Sequence, residues 1–476
     1  MNRSRLDEAF DPQATPMGPL DLPSDHFNHN KNGHKIIVIG AGFAGLSCAY
    51  ELASQGYEVV VLEARNRAGG RVISFGDFIN GKTVEGGGEL IGTNHRHCLK
   101  YANKFGLTFL ENTDEEGAHS PLILKGKALS RPEKERIVTE MEHVYERLNR
   151  VAAQVDADKP WETPGAVALD LTTMSSWISA LQAPDLCKAW LSVRLMADNG
   201  VHPDRQSLLG NLAMVKGGGL KKYWTETERL RCNGGNQQIA MKLAGGLSGQ
   251  QIYFNSPVSA ISYAPNGVLV ETVQGGRYEA DDVVMTVPPA VWHKIRFKPM
   301  LPPQLKPQMG AIVKYIAGVK GKFWQQAAEK TAPHAASDGA LNEIWEATLN
   351  QPGEHGEALA CYSGGPSAHT CRNWGKSREE AYLHEMEQIY PEIRENFTRG
   401  RFMDWHADPF AGGGFCFPAP GEVISQGPLL HDGLGTLHFA GEHCCYRYIG
   451  YMEGALDSGV SVATKIMKRD GLWPPP

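Results

Sequence analysis

The sequence predicts an α/β domain, assembled from three separated stretches of chain, interleaved with an α+β domain of mixed sheet and helices. Three observations carry this. A complete strand–helix–strand unit lies within Lys35 to Glu63, β-rich sequence returns between residues 252 and 289, and a short strand and a helix occupy Gly435 to Met467. The expected boundaries are 34–92, 231–297 and 404–469 for the first domain and 93–230 and 298–403 for the second, with 1–33 a polar arm.

The elements follow in order. Ile36, Ile37, Val38 and Ile39 form an unbroken apolar run, the mark of a strand buried on both faces. It ends at Gly40-Ala41-Gly42-Phe43-Ala44-Gly45, where a turn opens a helix. Leu46, Ala49, Tyr50, Leu52 and Ala53 recur at helical spacing until Gly56 supplies a stop. Tyr57 to Leu62 reads as a second strand closed by Glu63. Val84 to Gly92 packs Gly86, Gly87 and Gly88 into a turn where side chains would obstruct something. Pro132 to Asp156 has the charge pattern of a solvated helix. Ile252 to Val258 and Gly267 to Thr272 read as strands, a Gly275-Gly276 turn follows, and Val283 to Val287 ends in Pro288-Pro289. Between Pro302 and about Tyr390 strands and helices mix. Gly435 to Ala440 reads as a strand entering Gly441-Glu442, and Met452, Ala455, Leu456, Gly459, Val460, Ala463 and Met467 share a face of the last helix.

Composition excludes several classes. The chain has 476 residues and 52.1 kDa, with 42% hydrophobic and 21% charged residues, the values of a globular protein with a sizeable core. Lys plus Arg is 47 against 53 Asp plus Glu, a net charge of -6, so no basic field attracts nucleic acid or anionic lipid. No run approaches the ~18 apolar residues of a membrane span. Residues 1–33 lack the charged-then-apolar order of a secretory leader, so a cytoplasmic location is expected. The nine Cys show no CxxC pair and read as reduced thiols. His438 and His443 lack a metal-ligand spacing, so no metal is expected. Gly is the one excess, 53 of 476 or about 11% against a usual ~7%, and implies close backbone approaches.

Gly40-x-Gly42-x-x-Gly45 gains its meaning from context. It follows a buried strand and opens a helix, so free N–H groups and the helix dipole face a pyrophosphate that absent side chains let in. Glu63, about twenty residues on, is placed to accept hydrogen bonds from ribose hydroxyls. Dinucleotide binding follows, without separating FAD from NAD.

The separation comes from Ala64-Arg65-Asn66-Arg67-Ala68-Gly69-Gly70-Arg71-Val72, which resembles the second signature of glutathione-reductase-type FAD proteins, specifically the flavin amine oxidase superfamily. His438-Phe439-Ala440-Gly441-Glu442 and Gly450-Tyr451-Met452-Glu453-Gly454-Ala455 resemble its C-terminal flavin-binding stretch, and Val283 to Pro289 its central one. The resemblance implies a Rossmann-like FAD domain. Gly40, Gly42, Ala44, Gly45, Glu63, Ala64, Arg65, Gly70 and Arg71 would hold the ADP half and pyrophosphate, and Val258 would meet the adenine side. Gly87 and Gly88, followed by Glu89 and Leu90, would pass the flavin ring. Gly441 and Glu442 would bind the ribityl-pyrophosphate part, with Gly450, Tyr451, Met452 and Ala455 at the helix start facing the flavin pyrimidine edge.

The resemblance also implies catalytic roles. Lys314 would reach flavin N5 through a water and assist reoxidation by oxygen. Trp405 belongs to a flavin-facing segment, and Tyr451 and Phe415 would form two walls of an aromatic cage. Gly414 stands where a branch of the superfamily has the Cys that links covalently to flavin, so non-covalent FAD is expected. Leu90 stands where animal-type L-amino-acid oxidases have a carboxylate-binding Arg. An amino-acid site would then draw its cation from elsewhere, Arg447 first and Arg194 second. Glu89 reads equally as a pocket carboxylate for a cationic amine or as a buried group satisfied by backbone N–H.

The expected activity is that of an L-amino-acid oxidase. It would transfer hydride to flavin N5, with oxygen as second substrate and 2-oxo acid, ammonia and hydrogen peroxide as products. The alternatives are a monoamine or polyamine oxidase, and a flavin-binding interaction protein without oxidase activity. A homo-oligomer is compatible with each.

Overall fold

A computed structural model describes residues 33–112, 120–247, 249–325, 332–353 and 356–472. The arm expected over 1–33 lies outside the described residues except for Gly33.

The strand β1 (Lys35–Ile39) is followed by the helix α1 (Phe43–Ser54) and the strand β2 (Glu58–Leu62). Three distant stretches complete one parallel five-stranded sheet, in the order Leu437–Phe439, Asp282–Met285, β1, β2, Gln251–Tyr253. Residues of β1 alternate between two cores. Ile36 and Val38 pack with α1 and the last helix, Met452–Arg469, while Ile37 and Ile39 pack toward the β-rich side with Val60, Val283 and Ile261. This two-sided burial is why the strand reads as an unbroken apolar run. The chain leaves β1 toward β2 on one side and returns to Asp282–Met285 on the other. Gly40 therefore sits at the switch point where such sheets open a crevice at their carboxyl edge.

The segment read as one strand over 252–258 is two. Gln251–Tyr253 joins the parallel sheet, and Val258–Ala264 begins a mixed sheet, antiparallel with Gly267–Thr272, which pairs with Arg277–Ala280, and parallel with Arg296–Lys298. Asn255, with φ of 53°, turns the chain between them, a left-handed conformation that Asn tolerates better than most residues. The strand read as Val283 to Val287 keeps its ladder only to Met285, after which the Thr286 hydroxyl donates to the Ile39 carbonyl at 2.7 Å.

A seven-stranded sheet forms the second body, in the order Phe397–Asp404, Ile312–Val319, Glu357–Gly364, Glu343–Glu346, Ala335–Ser337, Leu122–Leu124, Lys127–Ala128. All eight residues of Ile312–Val319 are buried. Beside it lies a helical layer containing Arg131–Ala152, Asp185–Asn199 and Leu208–Gly217. Packing crosses the boundaries expected from sequence. Cys98 and Tyr101, beyond residue 92, lie in the core around α1, and Cys416, Phe417 and Val423 lie in the helical layer. Among the described residues no helix is long and apolar enough to cross a membrane.

Candidate active site

A cavity of about 470 Å³ begins at the carboxyl edge of the parallel sheet, against Gly40, Gly42 and Glu63, and reaches Lys314, Glu343 and Tyr362 of the seven-stranded sheet. Its first end is shaped for an anion. α1 starts after Gly42 with no side chain capping its N–H groups, and a Cβ on Gly42 would face only the Gly70 Cα, 3.9 Å away. The Glu63 carboxylate accepts from Ala41 N at 2.7 Å and Arg65 N at 2.8 Å, which fixes it at the cavity wall with lone pairs to spare. Gly45 does not line the cavity. A Cβ there would run into the Gly40 carbonyl, so its glycine serves the close approach of helix to strand.

The last helix repeats the arrangement. It starts after Tyr451, again with no side-chain cap, and Met452 and Ala455 line the cavity. Two open helix starts on one cavity give it two positive ends. One suits a pyrophosphate and the other the ring edge that gathers negative charge on reduction. FAD carries both groups, and these residues fit it.

Ala44, Ala64, Val258, Gly441 and Leu90 also line the cavity. Arg65 and Arg71 reach it already paired: Arg65 to Asp408 at 2.5 Å, and Arg71 to Glu442 at 2.9 Å and the Gly414 carbonyl at 2.6 Å. Glu442 in turn accepts from Cys416 N at 3.1 Å and Gly450 N at 3.0 Å, tying three segments together.

In the middle of the cavity the glycine turn is pressed from both sides. A Cβ on Gly87 would lie 3.0 Å from Trp405 Cζ2, and one on Gly88 3.0 Å from Met452 Cγ. Trp405 Nε1 donates to the Gly86 carbonyl at 3.1 Å. The Lys314 ammonium donates to the Glu85 carbonyl at 2.9 Å, the Gly87 carbonyl at 3.4 Å and the Glu89 carboxylate. Glu89 is no free pocket carboxylate and takes no backbone N–H among the described residues; it is shared by Lys314, by Arg231 at 3.1 Å and by Trp345 Nε1 at 2.9 Å. Burial opposes its charge, yet the two cations hold its carboxyl below the usual range.

Phe415 and Tyr451 flank the next part of the cavity. Phe415 Cδ2 stands 3.0 Å from where a Cβ on Gly450 would be. The Tyr451 hydroxyl donates to Glu228 Oε1 at 3.3 Å, and the His95 ring lies behind it at 5.5 Å. Beyond these rings the wall turns acidic. Asp198, near the end of helix Asp185–Asn199, Glu228, after the helix Lys221–Glu226, and Glu343, which opens its strand opposite Tyr362, all line the cavity. Burial first, then repulsion from Asp198, pushes the Glu228 carboxyl up to about 7. Burial, Asp198 and Glu228 push Glu343 up to about 8.

Neither arginine expected at a substrate carboxylate lines this cavity. Arg447 pairs with Asp158 at 2.9 Å and Asp457 at 3.2 Å, its Cβ packed on Gly217 of the helical layer. Arg194 stands behind Asp198, its Nε 3.5 Å from the carboxylate, with Nη1 donating to the Tyr145 hydroxyl at 3.4 Å. His97, Glu453 and Asp457 converge elsewhere. Their groups are committed, Glu453 to the N–H groups of His97 and Cys98 and Asp457 to Arg96 and Arg447. The acidic wall escaped the sequence reading. Its signals are faint: Arg194 and Asp198 at i, i+4, and Glu343 and Trp345 on one strand face with Ile344 turned to the core.

Comparison with known proteins agrees with this construction. Residues 43–467 match the family described as flavin containing amine oxidoreductase. The flavin-containing amine oxidase B of Bos taurus is 27% identical over 474 residues, covering 92% of this chain and 87% of its own. A flavin-containing amine oxidase of Oncorhynchus mykiss is 28% identical, covering 93% and 88%. Among solved structures, a putrescine oxidase bound to putrescine has a TM-score of 0.82 at 23% identity, covering 92% of this chain and 99% of that one. A cyclohexylamine oxidase from Brevibacterium oxydans IH-35A has 0.81 at 24%, with the same coverage. Since the match runs from the first helix to the last and the cavity it encloses fits the cofactor, the chain belongs to the flavin-containing amine oxidoreductases and is an FAD-dependent amine oxidase.

Proposed function

We propose that this oxidase acts on primary amines carrying a second positive charge, diamines or polyamines, in preference to L-amino acids. The observation that carries the reading is the acidic wall: Asp198, Glu228 and Glu343 face the far end of the cavity, with Arg194 the one cation behind them among the described residues. Like-charged carboxylates crowded along one end of a cavity are costly unless a cation joins them, and a distal ammonium or guanidinium supplies one. A substrate α-carboxylate needs the reverse. The cations lining the cavity are already engaged, Arg65, Arg71 and Lys314 by carboxylates and Lys294 by the Pro409 carbonyl. An L-amino-acid oxidase would have to draw Arg194 away from Asp198. The putrescine oxidase among the fold neighbours binds a diamine.

Bound FAD supplies the acceptor for hydride from the carbon beside nitrogen and returns the electrons to oxygen as hydrogen peroxide. The chain does the rest. Tyr451 and Phe415 enclose the reacting amine in an apolar slot that favours its neutral form, and the acidic wall fixes how far the substrate enters. Trp405 holds the glycine turn in place. Lys314 sets a cation beside that turn, where positive charge favours the anionic species formed from oxygen. The test compares kcat/KM for agmatine with arginine and for 1,5-diaminopentane with lysine. The amines are expected to be favoured by roughly 10-fold or more, the worth of an unanswered buried carboxylate; faster turnover of the acids would overturn the reading.

A further inference from the structure

We propose that the acidic wall exchanges a proton for the distal cation of the substrate, so that selection of dications over monocations strengthens as pH rises through neutrality. The inference rests on the reading of the far end as a cation site and adds to it how that site is kept when empty.

The groups facing this end come from every element around it. Arg194 and Asp198 come from the helix Asp185–Asn199, Tyr145 from Arg131–Ala152, Tyr223 from Lys221–Glu226, and Glu228 from the turn that follows. Glu343 and Tyr362 come from adjacent strands, and Tyr451 from the start of the last helix. Arg194 is the one cation among them, so three ionised carboxylates would leave two uncompensated charges crowded at one end of the cavity.

Partners divide the three unequally. Asp198 has Arg194, and Glu228 accepts from Tyr451. The Glu343 carboxylate lines the cavity without a hydrogen-bond or ion-pair partner among the described residues. A carboxylate so placed is held as the neutral acid until a positive charge arrives, and burial with like-charged neighbours drives it that way. Entry of an ammonium or guanidinium reverses the balance: one cation enters, one proton leaves to water, and the charge of the wall with its occupant is unchanged. A monoamine of the same chain length leaves the wall protonated.

The linkage sets the sign. Where the empty wall holds a proton that the occupied wall lacks, dication affinity rises about tenfold per pH unit, and it levels off once the empty wall has lost that proton. The ratio of kcat/KM for agmatine to that for butylamine isolates this term. Both present a primary amine to the same oxidation step, and the agmatine guanidinium stays charged throughout. With the holoenzyme the ratio is expected to climb by about tenfold over a pH unit near neutrality and then level. Glu343→Gln should flatten the climb and Glu343→Asp should restore it. A flat wild-type ratio, with amines still preferred to their amino acids, overturns the exchange and leaves the amine reading standing. Failure of the amines to exceed their amino acids overturns both, and the wild-type measurement suffices if the Gln variant does not fold.

Discussion

Gly414 governs how the cofactor is held. A Cβ at this position would enter the Ile312 side chain, and its carbonyl accepts from Arg71. Cys416, the nearest thiol in sequence, donates to the Gln308 carbonyl at 3.0 Å and lies outside the cavity wall. Burial raises its pKa well above the usual thiol range. No thiol among the described residues lines the cavity, so the flavin is expected to be released intact. Acid precipitation should leave yellow colour in the supernatant, and colour retained in the pellet would show a covalent link. The same scale explains what was legible in the sequence. Gly40, Gly42 and Glu63 stand out because backbone chemistry dictates their types at short spacing. The partners of Glu89 do not, since Lys314 is 225 positions away and only the folded chain brings it near.

At the scale of elements the cofactor end depends on one helix crossing. α1 and the last helix meet where a Cβ on Gly459 would strike the Ala44 carbonyl and Ser47 Oγ, and Ser47 Oγ donates to the Leu456 carbonyl at 3.1 Å. Both helices open onto the cavity, so pushing them apart disturbs both of its positive ends. Gly459→Ala is expected to cost about 1–3 kcal/mol of stability, the usual range for overpacking, and to weaken FAD retention. Thermal unfolding and flavin fluorescence after dilution check this; wild-type values for both would show that the crossing yields freely. The strand–helix–strand unit was legible because its contacts are local. The seven-stranded sheet was not, because its order places residues near 400, 315 and 360 side by side and ends on strands near 123 and 128. No periodicity within a strand reports its neighbour. Asn255-Ser256-Pro257 reads as a turn, but the change of sheet across it was hidden for a related reason, since apolar residues on either side serve two different sheets.

For the molecule as a whole, buried titratable groups set the pH dependence of stability. Burial raises Glu85 to about 7 and Glu343 to about 8, from an ordinary 4.5. Such groups hold protons in the folded chain that the unfolded chain has released, so their contribution is full below 4.5 and is lost as pH rises toward 7 and 8. The buried histidines work in the opposite direction. Burial lowers His95 and His443 to about 3 and His97 to about 4, from 6.5, so their contribution is present above 6.5 and is lost as pH falls. Between 4.5 and 6.5 these histidines oppose these carboxylates; above 6.5 the histidine contribution is complete and the carboxylate loss continues. The amine-free holoenzyme is therefore expected to lose stability between pH 6.5 and 8, by at most about 1.4 kcal/mol per pH unit for each proton involved. Glu343→Gln removes one of those protons and should make the decline shallower, while a saturating diamine should abolish the part that the acidic wall contributes. Denaturant midpoints for both proteins at the two pH values measure this, and a wild-type midpoint that rises over the interval would reverse the sign and place the wall's carboxylates in their ionised form already at neutral pH.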